Sequence, residues 1–89
     1  MQYYQPLSAE IASPTLTASG STVGSARLVR CVNTTTTAHL ITLQQEDNTI
    51  IGSMTLAGGD TCIIPKKSVE ELFSANAGIK LTSISIPRG

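Results

Sequence analysis

The stretch that decides the fold runs from Ala38 to Leu56 and reads AHLITLQQEDNTIIGSMTL. Along residues 38–44 the side chains alternate between two faces, which is the period-two pattern of a strand. The polar residues 45–48 suit a hairpin loop, and the apolar run over residues 49–56 suits a returning strand. This stretch therefore predicts a β-hairpin.

Strand-like segments and turn signals continue on both sides of the hairpin. Upstream, Asn33 and the four threonines that follow it favour a turn, because their side chains can bond local backbone groups. Downstream, Gly58 and Gly59 predict a second hairpin turn. Further strands are predicted over residues 9–17, where Pro14 indicates a sheet edge, and over residues 26–32, 61–64 and 79–86.

A short helix is predicted between the last two of these strands. Ser68 and Glu71 have the spacing of a capping box, in which each side chain accepts a hydrogen bond from the other residue's backbone N–H. Val69 and Leu72 then lie on one helical face. We expect an α-helix of about two turns near residues 68–76.

The predicted elements and the composition together indicate the fold class. The chain has 89 residues, of which 40% are hydrophobic, 13% charged and 3% aromatic, and its net charge is zero. This apolar content argues against disorder, and the lack of helical periodicity argues against a helix bundle. We expect an all-β protein, a small antiparallel β-sandwich or barrel of about six strands with the one short helix. Residues 1–9 are predicted to form an N-terminal arm and residues 10–89 a single domain.

Few residues could carry chemistry. His39 is the single histidine, and its alternation with Ile41 indicates a packed or edge-of-core side chain and not a general base. The carboxylate pairs are adjacent in sequence and diverge, and the chain has too few cysteines and histidines for a zinc site. The sequence therefore predicts no catalytic, cofactor-binding or metal-binding residue, no cofactor, and a protein that is not an enzyme.

The cysteines and the basic residues also point away from several functions. Cys31 and Cys62 lie in apolar runs, and we favour buried thiols over the alternative of a disulfide. Lys66 and Lys67 are interpreted as a solvated strand end, because no basic stripe accompanies them. No apolar run is long enough for a membrane span. We expect no nucleic-acid partner and no membrane partner.

Two of the three aromatic residues lie at the N-terminus. Tyr3 and Tyr4 precede the first predicted strand, and Leu7 follows them. Tyrosine is enriched at interfaces because it combines a large contact area with a hydrogen-bonding tip. Two interpretations stand evenly: the arm folds back over its own domain, or it docks on another subunit. Tyr3, Tyr4 and Leu7 are therefore the candidate partner-interface residues.

The order of the elements resembles that of a known family. Residues 28–43 read LVRCVNTTTTAHLITL and residues 50–67 read IIGSMTLAGGDTCIIPKK, followed by the predicted helix and a final strand. Over residues 26–86 this arrangement resembles small virion proteins of tailed bacteriophages, compact β-sandwiches that decorate or cement the capsid. The likeness rests on strand order, the Gly-Gly turn and the Lys-Lys step.

The resemblance implies a non-enzymatic structural role. The chain would be a capsid decoration or cement subunit on the capsid exterior of the virion, made in the host cytoplasm. Its partners would be the major capsid protein or another virion protein, and it would form a homo-oligomer such as a trimer. The alternatives are a tail, baseplate or fibre-associated subunit, and a small carbohydrate- or host-binding β-sandwich module.

Overall fold

The computed structural model describes residues 5–16 and 20–85. These residues form eight β-strands, and none of them belongs to a helix that could cross a membrane. In chain order the strands are β1 (Gln5–Pro6), β2 (Ile11–Ala12), β3 (Leu28–Asn33), β4 (His39–Gln44), β5 (Ile50–Leu56), β6 (Thr61–Pro65), β7 (Glu71–Ser74) and β8 (Ile79–Ser85). The all-β prediction is confirmed. Of the six strands expected from the sequence, the first is reduced to the two residues of β2, and β1 and β7 are additional.

The strands form two antiparallel sheets. In the first sheet, β8 pairs with β3 on one side and with the short strands β1 and β2 on the other, and β6 pairs with the far edge of β3. The second sheet has the order β5-β4-β7. Two antiparallel sheets packed over one core fit the small β-sandwich expected from the sequence.

The core between the sheets is built from aliphatic side chains. Alternation along β3 buries Val29 and Cys31, and the facing strands β4 and β7 contribute Ile41 and Leu72. Each such residue stabilises the fold by about 1.5–3 kcal/mol when it is fully buried. The largest side chains with almost no exposed surface are Ile41, Leu72, Ile79 and Leu81.

The hairpin predicted from residues 38–56 is confirmed. β4 and β5 pair from His39 opposite Leu56 to Gln44 opposite Ile50. The loop is closed by a hydrogen bond in which Gln45 N donates to the Thr49 carbonyl oxygen at 2.8 Å.

The turn at Gly58 and Gly59 is present, but it does not close a hairpin. Asp60 N donates to the Ala57 carbonyl oxygen at 3.0 Å, and Gly59 has a φ of 81°, a value that favours glycine. However, β5 pairs with β4 while β6 pairs with β3. The predicted second hairpin is therefore wrong, because the chain crosses here from one sheet to the other. Adjacent glycines specify a tight reversal, whereas the partner of each flanking strand depends on where its apolar face is buried.

The helix predicted near residues 68–76 is also wrong. A turn occupies its start, where Glu70 N donates to the Lys67 carbonyl oxygen at 3.0 Å and Glu70 Oε1 accepts from Lys67 N at 2.7 Å. The bond between a carboxylate and a backbone N–H is thus made by Glu70 and Lys67, one residue before the predicted pair of Glu71 and Ser68. Residues 71–74 then form β7, which pairs with β4.

Tertiary hydrogen bonding explains why this segment is a strand. A helix of about two turns is marginal without strong packing. As a strand, the segment bonds on both edges: to β4 on one side, and to Ser21 on the other, where Leu72 N and the Ser21 carbonyl oxygen lie 2.8 Å apart. The strand also buries Leu72 completely.

The N-terminal segment covers one edge of each sheet. In the first sheet β1 and β2 pair with β8, and Leu7 N donates to the Ser83 carbonyl oxygen at 2.7 Å. In the second sheet the outer edge of β7 bonds Ser21 and also Pro14, whose carbonyl oxygen accepts from Ser74 N at 3.0 Å. The remaining sheet edges, those of β5 and β6, have no strand partner among the described residues.

Candidate protein-interaction surface

The outer edge of β5 is an open strand edge. β4 is its one strand partner in the described part of the chain, so alternate N–H and C=O groups of β5 face outward. Six of its seven residues are exposed, and none of the seven carries a charge. Edges are commonly protected by charge, proline or bulges. Here the one such device is a register shift between Leu43 and Gln44, at one end of the pairing.

Four large apolar side chains are exposed on this edge and beside it. Ile50, Ile51 and Met54 belong to β5, and Leu40 belongs to the neighbouring β4. Ile50 is the most exposed of the four, at 60%. These four residues and the open backbone of β5 are called the β5 surface below. The register sets Met54 opposite Ile41 and Leu40 opposite Thr55, so Met54 and Leu40 project from opposite faces of the sheet. Exposed apolar side chains commonly mark sites of protein interaction.

A cleft of about 160 Å³ opens beside the β5 surface. Ile64 in its wall comes from β6, so the cleft lies between the open edges of the two sheets. Its lining consists of Ile41, Leu43, Gly52, Ser53, Met54 and Ile64. A cleft with such a lining can accept an apolar side chain from a strand added to β5.

The edge of β6 differs from that of β5 because it ends at Pro65, which has no N–H to offer. The next residue, Lys66, is only 8% exposed, and its Nζ donates to the Lys67 carbonyl oxygen at 3.2 Å. Burial lowers the pKa of Lys66, and the charges of Glu70 and Glu71 oppose that shift. The prediction of a solvated lysine pair is therefore wrong for Lys66 and right for the exposed Lys67.

Leu7 is the one predicted interface residue that the structure describes, and it lies at the edge of the first sheet opposite β6. Leu7 is 60% exposed and is attached through its backbone to β8 of its own chain, not to the β5 surface. The adjoining β1 also pairs with β8. Tyr3 and Tyr4 lie outside the described residues, so their role as interface anchors stays a prediction.

A wider cleft of about 570 Å³ lies between the N-terminal segment and the end of β8. Its wall includes a left-handed turn in which Val23, Gly24 and Ser25 have φ values of 54°, 68° and 59°. A positive φ is rare for a β-branched residue. Here the turn is closed by Ala26 N, which donates to the Thr22 carbonyl oxygen at 3.1 Å, and the Val23 side chain is buried in the core. Burial of Val23 offsets the backbone strain.

The potential metal ligands do not form a cluster among the described residues. Within residues 5–16 and 20–85, no three His, Cys, Asp or Glu side chains cluster as metal ligands would. His39 is half-buried at the start of β4, with Nε2 3.0 Å from Thr37 Oγ1, as its interpretation as an edge-of-core residue requires.

Comparisons of the chain with protein-family models, curated proteins and solved structures find no match. The functional interpretation of the β5 surface therefore rests on its geometry and chemistry. Sequence reasoning identified β5 only as half of a hairpin. The signal that could have indicated an interface is the uncharged, proline-free run of residues 49–56, which lacks the usual protection of an edge strand.

Proposed function

We propose that this protein is a non-enzymatic structural subunit that assembles with other proteins through the β5 surface. The observation that carries the proposal is an open, uncharged edge strand of seven residues with exposed apolar side chains on it and beside it. The assembly we propose is the virion of a tailed bacteriophage, in which the chain is a capsid decoration or cement subunit on the capsid exterior. The resemblance of residues 26–86 to small virion proteins supports this choice.

Strand addition is the contact for which the β5 surface is suited. A partner strand would satisfy the outward N–H and C=O groups of β5, and backbone pairing of this kind supplies affinity while side-chain pockets supply specificity. Ile50, Ile51 and Met54 would lose water on contact, which is worth up to about 1.5–3 kcal/mol for each side chain that becomes fully buried. Several such residues can offset the cost of ordering two partners.

Because β5 carries no charge, strands from copies of one partner can pair with it without repulsion between like charges. Like charges facing each other across paired strands are destabilising, and β5 presents none. The proposed partners are subunits of the major capsid protein or another virion protein, with homo-oligomers, such as trimers, formed by the chain itself. Tyr3, Tyr4 and Leu7 remain the proposed second contact, through the N-terminal arm.

A decoration subunit of this kind would stabilise the shell by mass action. It binds the assembled capsid and not the separated subunits, so each bound copy shifts the equilibrium toward the assembled state. The gain grows with the free concentration of the subunit relative to its dissociation constant. No chemical step is required for this function.

A carbohydrate-binding role has less support. Sugar-binding sites commonly stack the sugar on an exposed aromatic ring. Phe73 is the single aromatic residue in the described ranges, and it is half-buried in β7. The β5 surface offers aliphatic side chains instead, which suit a protein partner.

The first test is the composition of purified particles. Virions of a phage that encodes the chain should still contain it after density-gradient purification. Quantitative mass spectrometry measures its copy number per virion. A copy number on the order of hundreds would place it in the shell, and about six or twelve would place it in the tail. Particles that lack the chain entirely would contradict the proposal.

The second test addresses the capsid directly. Particles produced without the chain should release their genome at a lower temperature, and added wild-type chain should restore the higher temperature. Unchanged release temperature in the absence of the chain would contradict a cement function. Because the described residues Gln5–Pro6 pair with β8, deletion of residues 1–8 would disturb the sheet. The arm is therefore better tested by the double substitution Tyr3→Ser and Tyr4→Ser.

A further inference from the structure

The two cysteines, which are distant in sequence, are direct neighbours across two strands. The antiparallel register of β3 and β6 places Cys31 opposite Cys62. Residues that face each other across such a pair project their side chains on the same side of the sheet. Cys31 is fully buried in the core, and Cys62 packs against that core from a partly exposed position. Both sulfur atoms therefore lie on the inner face of the first sheet.

The Cα spacing at this position falls within the range found in disulfides. Asn33 N donates to the Asp60 carbonyl oxygen at 2.9 Å, and Lys66 N donates to the Arg27 carbonyl oxygen at 2.9 Å. The two bonds join facing residues that lie two and four positions from Cys31 along the same strand. Hydrogen-bonded and non-hydrogen-bonded pairs alternate along an antiparallel ladder, so Cys31 and Cys62 also form a hydrogen-bonded pair. The Cα atoms of such a pair are about 5.5 Å apart, inside the range of about 4.4–6.8 Å found in disulfides. The Cβ atoms of facing residues are about 4.5–5.5 Å apart and would have to approach to about 3.5–4.5 Å, so the bond would carry some strain and be readily reduced.

The two thiols differ chemically because they interact with each other and because Cys31 is the more buried. The hydrogen bond with Cys62 and burial both raise the pKa of Cys31. The same interaction with Cys31 lowers the pKa of Cys62, and burial of Cys62 opposes that shift. In the structure the Cys31 thiol donates to the Val29 carbonyl oxygen at 3.9 Å. Cys62 also lies on an edge strand and is partly exposed. A reagent from solution therefore meets Cys62 first, with Cys31 directly behind it, and the lowered pKa increases the share of Cys62 that is the reactive thiolate.

We propose that Cys31 and Cys62 are a redox-active pair that small-molecule disulfides, such as oxidised glutathione, convert to an intramolecular disulfide. The Cys62 thiolate attacks one sulfur of the reagent, a mixed disulfide forms, and one glutathione thiolate leaves. Cys31 then loses its proton to water, its sulfur attacks the Cys62 sulfur, and the bond between Cys62 and glutathione breaks. The second glutathione leaves as a thiolate and takes up a proton from water. Two protein thiols are oxidised to one disulfide, and one small disulfide is reduced to two thiols.

The new bond would fasten an edge strand to the interior of its sheet. Among the described residues, β6 has β3 as its one strand partner, so a covalent link at Cys31 and Cys62 would oppose separation of β6. Closing a loop of this length also restricts the unfolded chain. The thiol form would persist where glutathione is reduced, and the disulfide would form in an oxidising environment.

The test is oxidation of the full, folded chain with oxidised glutathione, followed by intact mass measurement and peptide mapping. The wild type should lose the mass of two hydrogen atoms, stay monomeric on a non-reducing gel and yield one peptide pair linked through Cys31 and Cys62. The melting temperature of the oxidised form should rise by about 10 °C, and a reductant should reverse the rise.

Two single substitutions separate the roles of the two thiols. Cys31→Ala should accumulate one glutathione on Cys62, because no second thiol can expel it. Cys62→Ala should stay unmodified while folded, because Cys31 is buried. The proposal would be overturned if the folded wild type kept both thiols, stopped at the mixed disulfide, or formed disulfide-linked dimers. All three outcomes are measured on the wild type, so the test remains valid even if a variant fails to fold.

Discussion

The side chain of Asn33 bridges the two sheets: its Nδ2 donates to the carbonyl oxygen of Leu56, at the end of β5, at 2.8 Å. The same nitrogen donates to the Thr37 carbonyl oxygen at 2.8 Å. Its Oδ1 accepts from Thr35 N at 2.9 Å and from Thr35 Oγ1 at 2.7 Å. Asn33 has no exposed surface, so these bonds replace all of its contacts with water. This one side chain orders the threonine turn and connects β3 to the end of β5.

The first prediction concerns Asn33→Asp, which keeps the acceptor Oδ1 and replaces the Nδ2 donor with a second oxygen. A carboxylate would face the carbonyl oxygens of Thr37 and Leu56 in a buried site, so the free energy of unfolding should fall by about 2–4 kcal/mol. Chemical denaturation measures the change. The matched control is Gln45→Glu, the same change of amide to carboxylate at an exposed position, which should alter stability by about 0.5 kcal/mol or less. Equal effects of the two substitutions would contradict the assigned role of Asn33.

The second prediction compares two glycines with different surroundings. A Cβ atom at Gly58 would lie 2.6 Å from the backbone carbonyl carbon of Thr36, whereas at Gly52 it would meet no atom within 4 Å. Gly58→Ala should therefore destabilise the fold by about 1–3 kcal/mol, because the threonine turn and the crossing between sheets would have to separate. Gly52→Ala should be neutral or slightly stabilising. Thermal or chemical unfolding of both variants measures the difference. Equal stabilities would show that the threonine turn and the turn at Gly58 are not closely packed.

The third prediction tests the β5 surface. Ile51→Lys places a charge on the open edge strand and should weaken self-association or binding to capsids by at least about tenfold, because pairing would require the charge to lose water. Stability of the monomer should change by about 0.5 kcal/mol or less, since Ile51 is exposed. Analytical ultracentrifugation and a capsid-binding assay measure the two effects. Leu16→Lys, at a residue that is 65% exposed and outside the strands, is the control. If both variants bind equally well, the contact lies elsewhere.

The fourth prediction concerns the pH dependence of stability that Lys66 confers. Burial lowers its pKa below the ordinary value of 10.5, so between these two values the unfolded chain binds more protons than the folded one. The cost of burying the charge is present in full below the lowered pKa and disappears as pH rises toward 10.5. The stability of the wild type relative to Lys66→Met should therefore increase with pH in the alkaline range. Denaturation of both proteins between neutral pH and about pH 10.5 isolates this residue, because they share every other titrating group. A difference that is flat or falls with pH would contradict the buried state of Lys66.

Local sequence patterns predicted most of the strands, but they did not predict which strands pair with each other. Alternation over residues 38–56 predicted both strands of the β4-β5 hairpin and their pairing, because the loop is short and the partners are adjacent in sequence. The Gly58–Gly59 turn was also predicted, but not that it joins two sheets. The choice between a hairpin and a crossing depends on burial against distant strands, which local turn chemistry does not encode.

The segment over residues 68–76 shows where local patterns conflict with the fold. Ser68, Glu71 and Leu72 satisfy the pattern of a capped helix, yet strand pairing with β4 and Ser21 provides more hydrogen bonds and buries Leu72 completely. A short helix would gain little stability on its own. Tertiary contacts therefore decide the conformation of a segment with weak local preferences.

The composition and periodicity of the chain establish a small all-β protein with an aliphatic core, because alternation and turn chemistry act over a few residues. Only the tertiary structure places Cys31 opposite Cys62, buries Lys66, and covers two sheet edges with the N-terminal segment while β5 stays open. Each of these features joins residues that are far apart in sequence, and register between strands is set by the packing of whole faces. The proposed contact surface and the proposed redox pair both arise at this level.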